Sequence, residues 1–317
     1  MLFTDNLEEI IFNRHNLFQA DEFIVISGYL GPGPIRRLQS LPFNSKVVYG
    51  MYGSEGIKQP LHTSLRDIQI LNDKVNVYYS NFPVHSKCYV WKNRGEIVHA
   101  LIGSANFSVN GLTTPYREVL AETTYDSFDS LNHYIIRILN NSQSCLEVQL
   151  TKIVKSEIIE EYCNLSLLGR NGEVQNVAGL NWGQNPSNNT RPDDAYIKIR
   201  VQDVINFPDL FPPKQINPMK MDRRGRDQRH NDAIEIIWDD GLSMNGLFEG
   251  TQTINGVVYP KQVSSFPVKS ELGVYIKNRI GVPLGQPVRL FHLQKYGRTD
   301  ITITKLGEGV YKFDFSV

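Results

Sequence analysis

Short apolar runs of β-branched and aromatic residues, separated by turn signals, dominate the first 124 positions. "EFIVISGYL" meets Gly31-Pro32-Gly33-Pro34, "KVVYGMYG" gives way to a polar stretch, and "VNVYYSNF" leads into "VHSKCYVW". Runs of this kind, bounded by Gly, Pro and Asn, predict strands. Between them, "PIRRLQSL" and "TSLRDIQILND" carry apolar residues at helical spacing, so strand and helix alternate and an α/β layered fold is expected. From Ser127 to about Leu168 the spacing turns helical, in "SLNHYIIRIL" and "SEIIEEYCNLSLL".

The pattern then breaks. Residues 169–194 are crowded with Gly, Asn, Pro and Ser and predict a connecting segment. Beyond it "AYIKIRV", "AIEIIWDDG", "VRLFHL", "DITITKLG" and "GVYKFDFSV" predict short strands, with one helix at "SELGVYIKNRIG". The division expected is a domain over 1–168, a connection over 169–194, and a mostly β barrel or sandwich over 195–317.

Length supports two domains: 317 residues is about twice the ~150 typical of one. A hydrophobic content of 41% and a charged content of 21% are those of an ordinary globular chain. No apolar stretch approaches the ~18 residues of a membrane span, and "MLFTDNLEEI" lacks the pattern of a secretory signal. A cytoplasmic protein is expected. Cys88, Cys145 and Cys163 are odd in number and lack any C-x-x-C pair, which argues against a disulfide framework and a structural zinc site. Net charge is zero, but 190–317 holds 18 Lys+Arg against 15 Asp+Glu, leaving 15 against 18 before it.

The candidate chemistry lies in "VHSKCYVW" and the segment after it. In a strand, i and i+2 share a face about 6.5 Å apart, so His85 and Lys87 converge. "KNRG" (92–95) suits a hairpin turn; centred between Asn93 and Arg94, it would set Ile102 opposite His85. "GSANFS" then emerges beside His85 with Ser104 and Asn106 as a second i, i+2 pair. An ammonium, a hydroxyl and an amide can hold phosphate oxygens, and an imidazole can act as nucleophile or general acid. No carboxylate cluster accompanies them, so the set suits metal-free phosphoryl transfer.

"HSK", "GSANFS" and Glu118 in "REVLAE" together resemble the H-x-K…G-S-x-N motif of the phospholipase D superfamily. One departure is Lys92, where many members carry Asp. The resemblance implies an αβα layered nuclease domain and a phosphohistidine mechanism. Lys87, Ser104 and Asn106 would hold the phosphate, and Glu118 would fix the tautomer of His85. It also implies two motifs per active site, whereas this chain has one H-x-K. A homodimer sharing one site is therefore expected.

Residues 169–317, through "GLNWGQ", "DAYIKI", "WDDG", "YIKNRIGVPLG" and "LQKYGRTDITITK", resemble the C-terminal part of NgoFVII-type and, more loosely, BfiI-type restriction endonucleases. That resemblance implies a pseudobarrel DNA-binding domain, double-stranded DNA as partner and a cognate DNA methyltransferase in the same system. It leaves room for ATP through a separate helicase-like ATPase subunit, with no cofactor for the nuclease itself. The alternative is a phospholipase-D-type phospholipid hydrolase, but no membrane-docking segment accompanies the motif.

DNA contacts are expected from the loop "MKMDRRGRDQRHND", where Lys220, Arg223, Arg224, Arg226 and Arg229 could neutralise phosphates or fork onto guanine edges. The competing reading pairs those arginines with Asp222, Asp227 and Asp232. Gln252 and Lys261 offer a second arm, and Gln184 and Arg191 in the connecting segment are further candidates. Trp182 and Trp238 are assigned to the core, and Asp239-Asp240 to a turn.

Overall fold

The computed structural model describes all residues except 125–127, 149–160, 187–188, 222–224 and 226. The chain divides into two compact units: Met1–Ile158 with Leu306–Gly309, and Ile159–Lys305 with Val310–Val317.

The first unit is built on eight strands: β1 (Leu2–Phe3), β2 (Glu22–Ser27), β3 (Asn44–Tyr49), β4 (Val75–Ser80), β5 (Lys87–Asn93), β6 (Glu96–Gly103), β7 (Leu120–Glu122) and β8 (Ser142–Ser144). They lie in the order β1-β7-β6-β5-β2-β3-β4-β8. The β2, β3 and β4 strands are parallel, while β5 runs antiparallel to β2. Central strands are buried almost throughout, as in β2 and β5, which is why they read as continuous apolar runs rather than alternating ones. Helices cover both faces. The Asp129–Asn140 helix sets Ile135 and Ile138 on Ile24, Ile26, Val48, Cys88, Val90 and Ala100. On the other face Phe12 of the Leu7–Asn13 helix stacks on Phe107, which also meets Tyr89. The αβα layering expected from the sequence is present.

The β5–β6 hairpin differs from its expected register. Arg94 and Gly95 form the turn, both with positive φ (51° and 86°), the pair of conformations a tight two-residue hairpin turn needs. An irregularity at Trp91/Lys92 adds a further shift, so Ile102 pairs with Cys88 rather than with His85. His85 thus precedes the strand, and Lys87 opens it.

The second unit is mostly β: β9 (Tyr162–Ser166), β10 (Ile197–Lys198), β11 (Ile216–Met221), β12 (Asp227–Arg229), β13 (Asp232–Trp238), β14 (Ser243–Glu249), β15 (Gln252–Ile254), β16 (Val257–Tyr259), β17 (Gln262–Ser265), β18 (Asp300–Gly307) and β19 (Val310–Asp314). Seven of them form one sheet in the order β10-β17-β14-β13-β19-β18-β9, while β11–β12 and β15–β16 are separate hairpins. The end strands β9 and β10 also touch, which curls the sheet toward a barrel. Alternation of buried and open positions in β14 and β18 aims one face at a core containing Ile234, Ile236, Trp238, Phe248, Ile301 and Phe313.

Two sequence expectations change here. The helical reading of "SEIIEEYCNLSLL" fails at Tyr162–Ser166, which is the strand β9 paired to β18; residues 156–160 lie outside the described residues. "VRLFHL" is not a strand, because Leu290–Tyr296 is helical. The ring of His292 accepts from the Arg289 amide at the start of this helix, and Gly297 closes it in the left-handed conformation (φ 102°). Val174 and Leu180, from the segment expected to be a connection, belong to the core of this unit.

Candidate active site

The site forms where β2 and β5 end side by side. Their antiparallel register sets Ser27 opposite Lys87. Gly28 follows Ser27, and a side chain there would be crowded by the site's own groups. A Cβ on Gly28 would lie 3.0 Å from His85 Cδ2, 3.4 Å from Lys87 Nζ and 3.5 Å from Asn106 Oδ1. Three groups drawn from two distant stretches therefore surround one point. The sequence singled out all three but not the glycine between them.

Lys87 is buried and His85 is exposed. The Lys87 ammonium donates to the His85 carbonyl at 2.7 Å and lies 3.2 and 3.1 Å from Nδ1 and Nε2 of its ring. Burial lowers the Lys87 pKa from its ordinary value, opposed by the carboxylates of Glu308 and Glu118.

Asn106 is buried, and its Oδ1 accepts from the Tyr29 amide (3.2 Å) and from Ser27 Oγ (3.4 Å). That fixes which end of the amide faces the site: Nδ2 points outward and donates to Glu308 Oε2 at 2.9 Å. Ser27 Oγ in turn accepts from the Phe107 amide, so the loop carrying Asn106 is tied to the end of β2. Glu308 thus presents a carboxylate oxygen to Asn106, and its charge also acts on the Lys87 ammonium.

Tyr29, also unanticipated, packs edge-on to the His85 ring at 6.0 Å between centroids, and its hydroxyl donates to Glu55. Burial, then Glu55 and Glu308, push the Tyr29 hydroxyl up to about 12, so it stays protonated as a donor.

Two expected members sit differently. Ser104 is exposed; its Oγ accepts from the Val119 amide at 3.1 Å instead of converging with Asn106. The chain leaves β6 at Gly103, so strand alternation no longer places Ser104 and Asn106 on one face. Glu118 makes no hydrogen bond to His85 among the described residues. The stretch that carries it is held against Ser104 by main-chain pairing at Val119, and Glu118 acts on the site through its charge near Lys87. Lys92, the departure from the motif, is buried and donates to Asn132.

Three other histidines of this unit face partners away from the site. His62 bonds the Tyr79 hydroxyl, and His15 packs on Phe43. His99 accepts from Arg14 Nε, and burial, then the Arg14 charge, pull its pKa down to about 4.

Of the expected DNA contacts, Gln252 donates to the carbonyls of Ile199 and Pro260 and, like Lys261, lines one cleft. Gln184 donates to the carbonyls of Pro192 and Gly285, a loop-bracing role. Lys220 and Arg191 are exposed, and Arg229 donates to the Lys214 carbonyl. Arg223, Arg224 and Arg226 lie outside the described residues. Trp238 is buried against Tyr275 and Phe313, and Trp182 packs on Tyr196. Asp239 is more than a turn residue: it receives a two-pronged hydrogen bond from Arg279 at 2.7 and 2.8 Å.

The chain has a layered α/β unit with histidine, lysine and asparagine at its strand ends and a barrel-like β unit, and the families these two stretches match make it a phosphodiesterase of the restriction endonuclease class. Residues 5–152 match the NgoFVII restriction endonuclease N-terminal PLD domain, and 155–307 match the NgoFVII C-terminal B3-like DNA-binding domain. The chain belongs to the NgoFVII restriction endonuclease family. Similar solved structures include NucT from Helicobacter pylori (17% identity, 45% of this chain and 97% of that one, TM-score 0.33). Nuc from Salmonella typhimurium, a phospholipase D family member, shares 13% identity over 44% of this chain and 87% of its own, with a TM-score of 0.32. Polyphosphate kinase from Porphyromonas gingivalis shares 14% identity over 45% and 23%, with a TM-score of 0.31. At these scores they add nothing to the family assignment. No curated protein sequence matches the chain.

Proposed function

We propose that this chain is a site-specific, metal-independent, type II-like restriction endonuclease. It hydrolyses DNA phosphodiesters through a phosphohistidine on His85, in an active site shared by two copies. The observation that carries the reading is the convergence of His85, Lys87 and Asn106 on Gly28. A ring nitrogen of His85 attacks phosphorus, and the ester oxygen leaves with a proton from His85 of the second copy. Water, giving its proton back to that second histidine, then attacks the phosphohistidine and frees the phosphate end. Lys87 supplies the charge and Asn106 Nδ2 the donor that hold the non-bridging oxygens as negative charge develops. Ser104 and Glu118 complete the motif on the rim of the site. In this reading the second histidine comes from a second copy, because the sequence holds a single H-x-K motif; His62 and His99 are engaged with Tyr79 and Arg14. In this reading Lys87 and the Asn106 amide meet the charge on the phosphate, so no step calls on a metal.

In this reading the partners are double-stranded DNA, a second copy, and a methyltransferase that protects the host, with ATP entering only through a separate helicase-like subunit. The cell compartment is the cytoplasm, where DNA is the available phosphodiester. No helix among the described residues is long and apolar enough to cross a membrane. The test is sedimentation combined with acid- or base-quenched turnover of a labelled diester. A dimer at micromolar concentration and a base-stable, acid-labile phosphoryl group on His85 are expected. A monomer, or a turnover with no label on the protein, would overturn it.

A further inference from the structure

The second unit carries a groove unlike the rest of its surface. A cavity of about 1050 Å³ lies between residues 170–178, Lys198 and the start of the Leu290–Tyr296 helix. A second, of about 470 Å³, lies between 168–170, 198–202, Gln252 and Lys261. Both are lined by Arg170 and Lys198, so the two hollows adjoin at these side chains and are taken together as one groove.

Its charge is unbalanced. Several cations elsewhere in this unit are matched by carboxylates: Lys269 with Glu249, Lys277 with Asp193, Arg279 with Asp239, Arg298 and Lys312 with Asp314. In the groove, Arg170, Lys198 and Lys261 have no carboxylate partner among the described residues, while the guanidinium groups of Arg200 and Arg289 donate to neutral oxygens, those of Leu168 and Asn176. The one carboxylate in the lining is Glu173. Cations without partners are costly to gather unless an anion joins them, because like charges repel at short range. Between them, the amides of Gln175 and Gln294 make no hydrogen bond within the described protein, and Phe291 is 59% exposed. Unpaired cations flanking free amides match what a duplex presents, phosphates on the outside and base edges within.

We propose that this groove, and not the arginine loop at 223–226, is the main seat of duplex DNA, with Arg170, Lys198 and Lys261 neutralising backbone phosphates. The proposal rests on the reading of the chain as a DNA-cleaving enzyme. Each neutralised phosphate contributes about 0.9 to the slope of log affinity against log salt.

The test measures duplex binding by fluorescence anisotropy across a salt series, using the full chain with His85→Ala to prevent cutting. Two variants removing equal charge are compared: Arg170→Gln/Lys198→Gln/Lys261→Gln and Arg223→Gln/Arg224→Gln/Arg226→Gln. The groove variant should lower the slope by about 2.7, with an unchanged melting temperature, and the loop variant by less than about 1. A groove variant whose slope falls by less than about 1, or a loop variant that loses more slope than the groove variant, overturns the proposal. Failure of the parent chain to bind duplex even at low salt would instead overturn the DNA-cleaving reading beneath it.

Discussion

Replacing Gly28 by alanine should slow the enzyme without weakening the fold. The added methyl carbon would stand 3.0 Å from His85 Cδ2, 3.4 Å from Lys87 Nζ and 3.5 Å from Asn106 Oδ1. Carbon atoms at rest sit about 3.5–4.0 Å apart, so the imidazole must retreat by about 0.5–1 Å. His85 is exposed, which lets it yield at little cost to stability. Gly28 is also outside the left-handed region, so alanine fits its backbone. At such positions the change stabilises by about 0.4–1 kcal/mol through the unfolded chain. Catalysis has no such tolerance: a misplacement of about 1 Å costs on the order of 100-fold, or about 2.7 kcal/mol of barrier. Hydrolysis of bis(4-nitrophenyl) phosphate reads the chemistry without needing a recognition sequence. The expected result is kcat reduced roughly 10- to 100-fold with a melting temperature equal to or slightly above that of the parent. A kcat within twofold of the parent would refute the packing argument, as would a loss of cooperative melting, which would put the strain in the backbone.

Other outcomes follow from the same geometry. The ammonium of Lys87 must be charged to hold phosphate, and burial lowers its pKa; activity should be full below that pKa and fall as pH rises through it, earlier than for an exposed lysine. Glu308→Gln removes a carboxylate that favours the charged lysine, so the alkaline limb of kcat should move to lower pH; an unmoved limb would remove Glu308 from the site's electrostatics. The same substitution removes the anion bound to Asn106, and inhibition by inorganic phosphate should tighten about threefold to tenfold, the scale of one partly solvated charge-assisted hydrogen bond. In the second unit, Arg279→Lys loses the fork to Asp239 and the contacts with Tyr275, Tyr296 and Phe315, and urea unfolding should show a loss of about 1.5–3 kcal/mol. Burial alone would raise the Asp239 pKa, but Arg279 holds it net below the usual carboxylate range. Its stabilising contribution is therefore present above the unfolded pKa of about 3.9 and lost as pH falls through the lower folded value, and Arg279→Lys should flatten that acid limb.

The sequence was most legible where chemistry and local geometry coincide. His85, Lys87 and Asn106 could be singled out because i, i+2 spacing and a hairpin bring them near one another. Ser104 does not share a face with Asn106 as expected, because strand alternation ends at Gly103, where the strand stops. The one-residue slip at 94–95 has a similar origin: composition marked the turn, but only the positive φ of Arg94 and Gly95 locates its centre. Gly28 and Tyr29 were out of reach because their role depends on pairing between strands some 60 residues apart in the chain, Ser27 opposite Lys87. One trace was available, a Ser-Gly-Tyr at the end of an almost wholly apolar run. Glu308 left no local trace at all, being 202 positions from Asn106. "VRLFHL" deceived through its β-branched start, although Leu290, Leu293 and Tyr296 repeat every third residue, a spacing that suits the helix observed.

The most direct test of the central claim is cleavage of plasmid DNA in excess EDTA, with methylated and unmethylated substrate, by the parent chain and by His85→Ala. The account predicts that the parent cuts unmethylated plasmid with the chelator present and that His85→Ala, folded and still bound to DNA, does not. Cutting abolished by EDTA, or retained by His85→Ala, would contradict it.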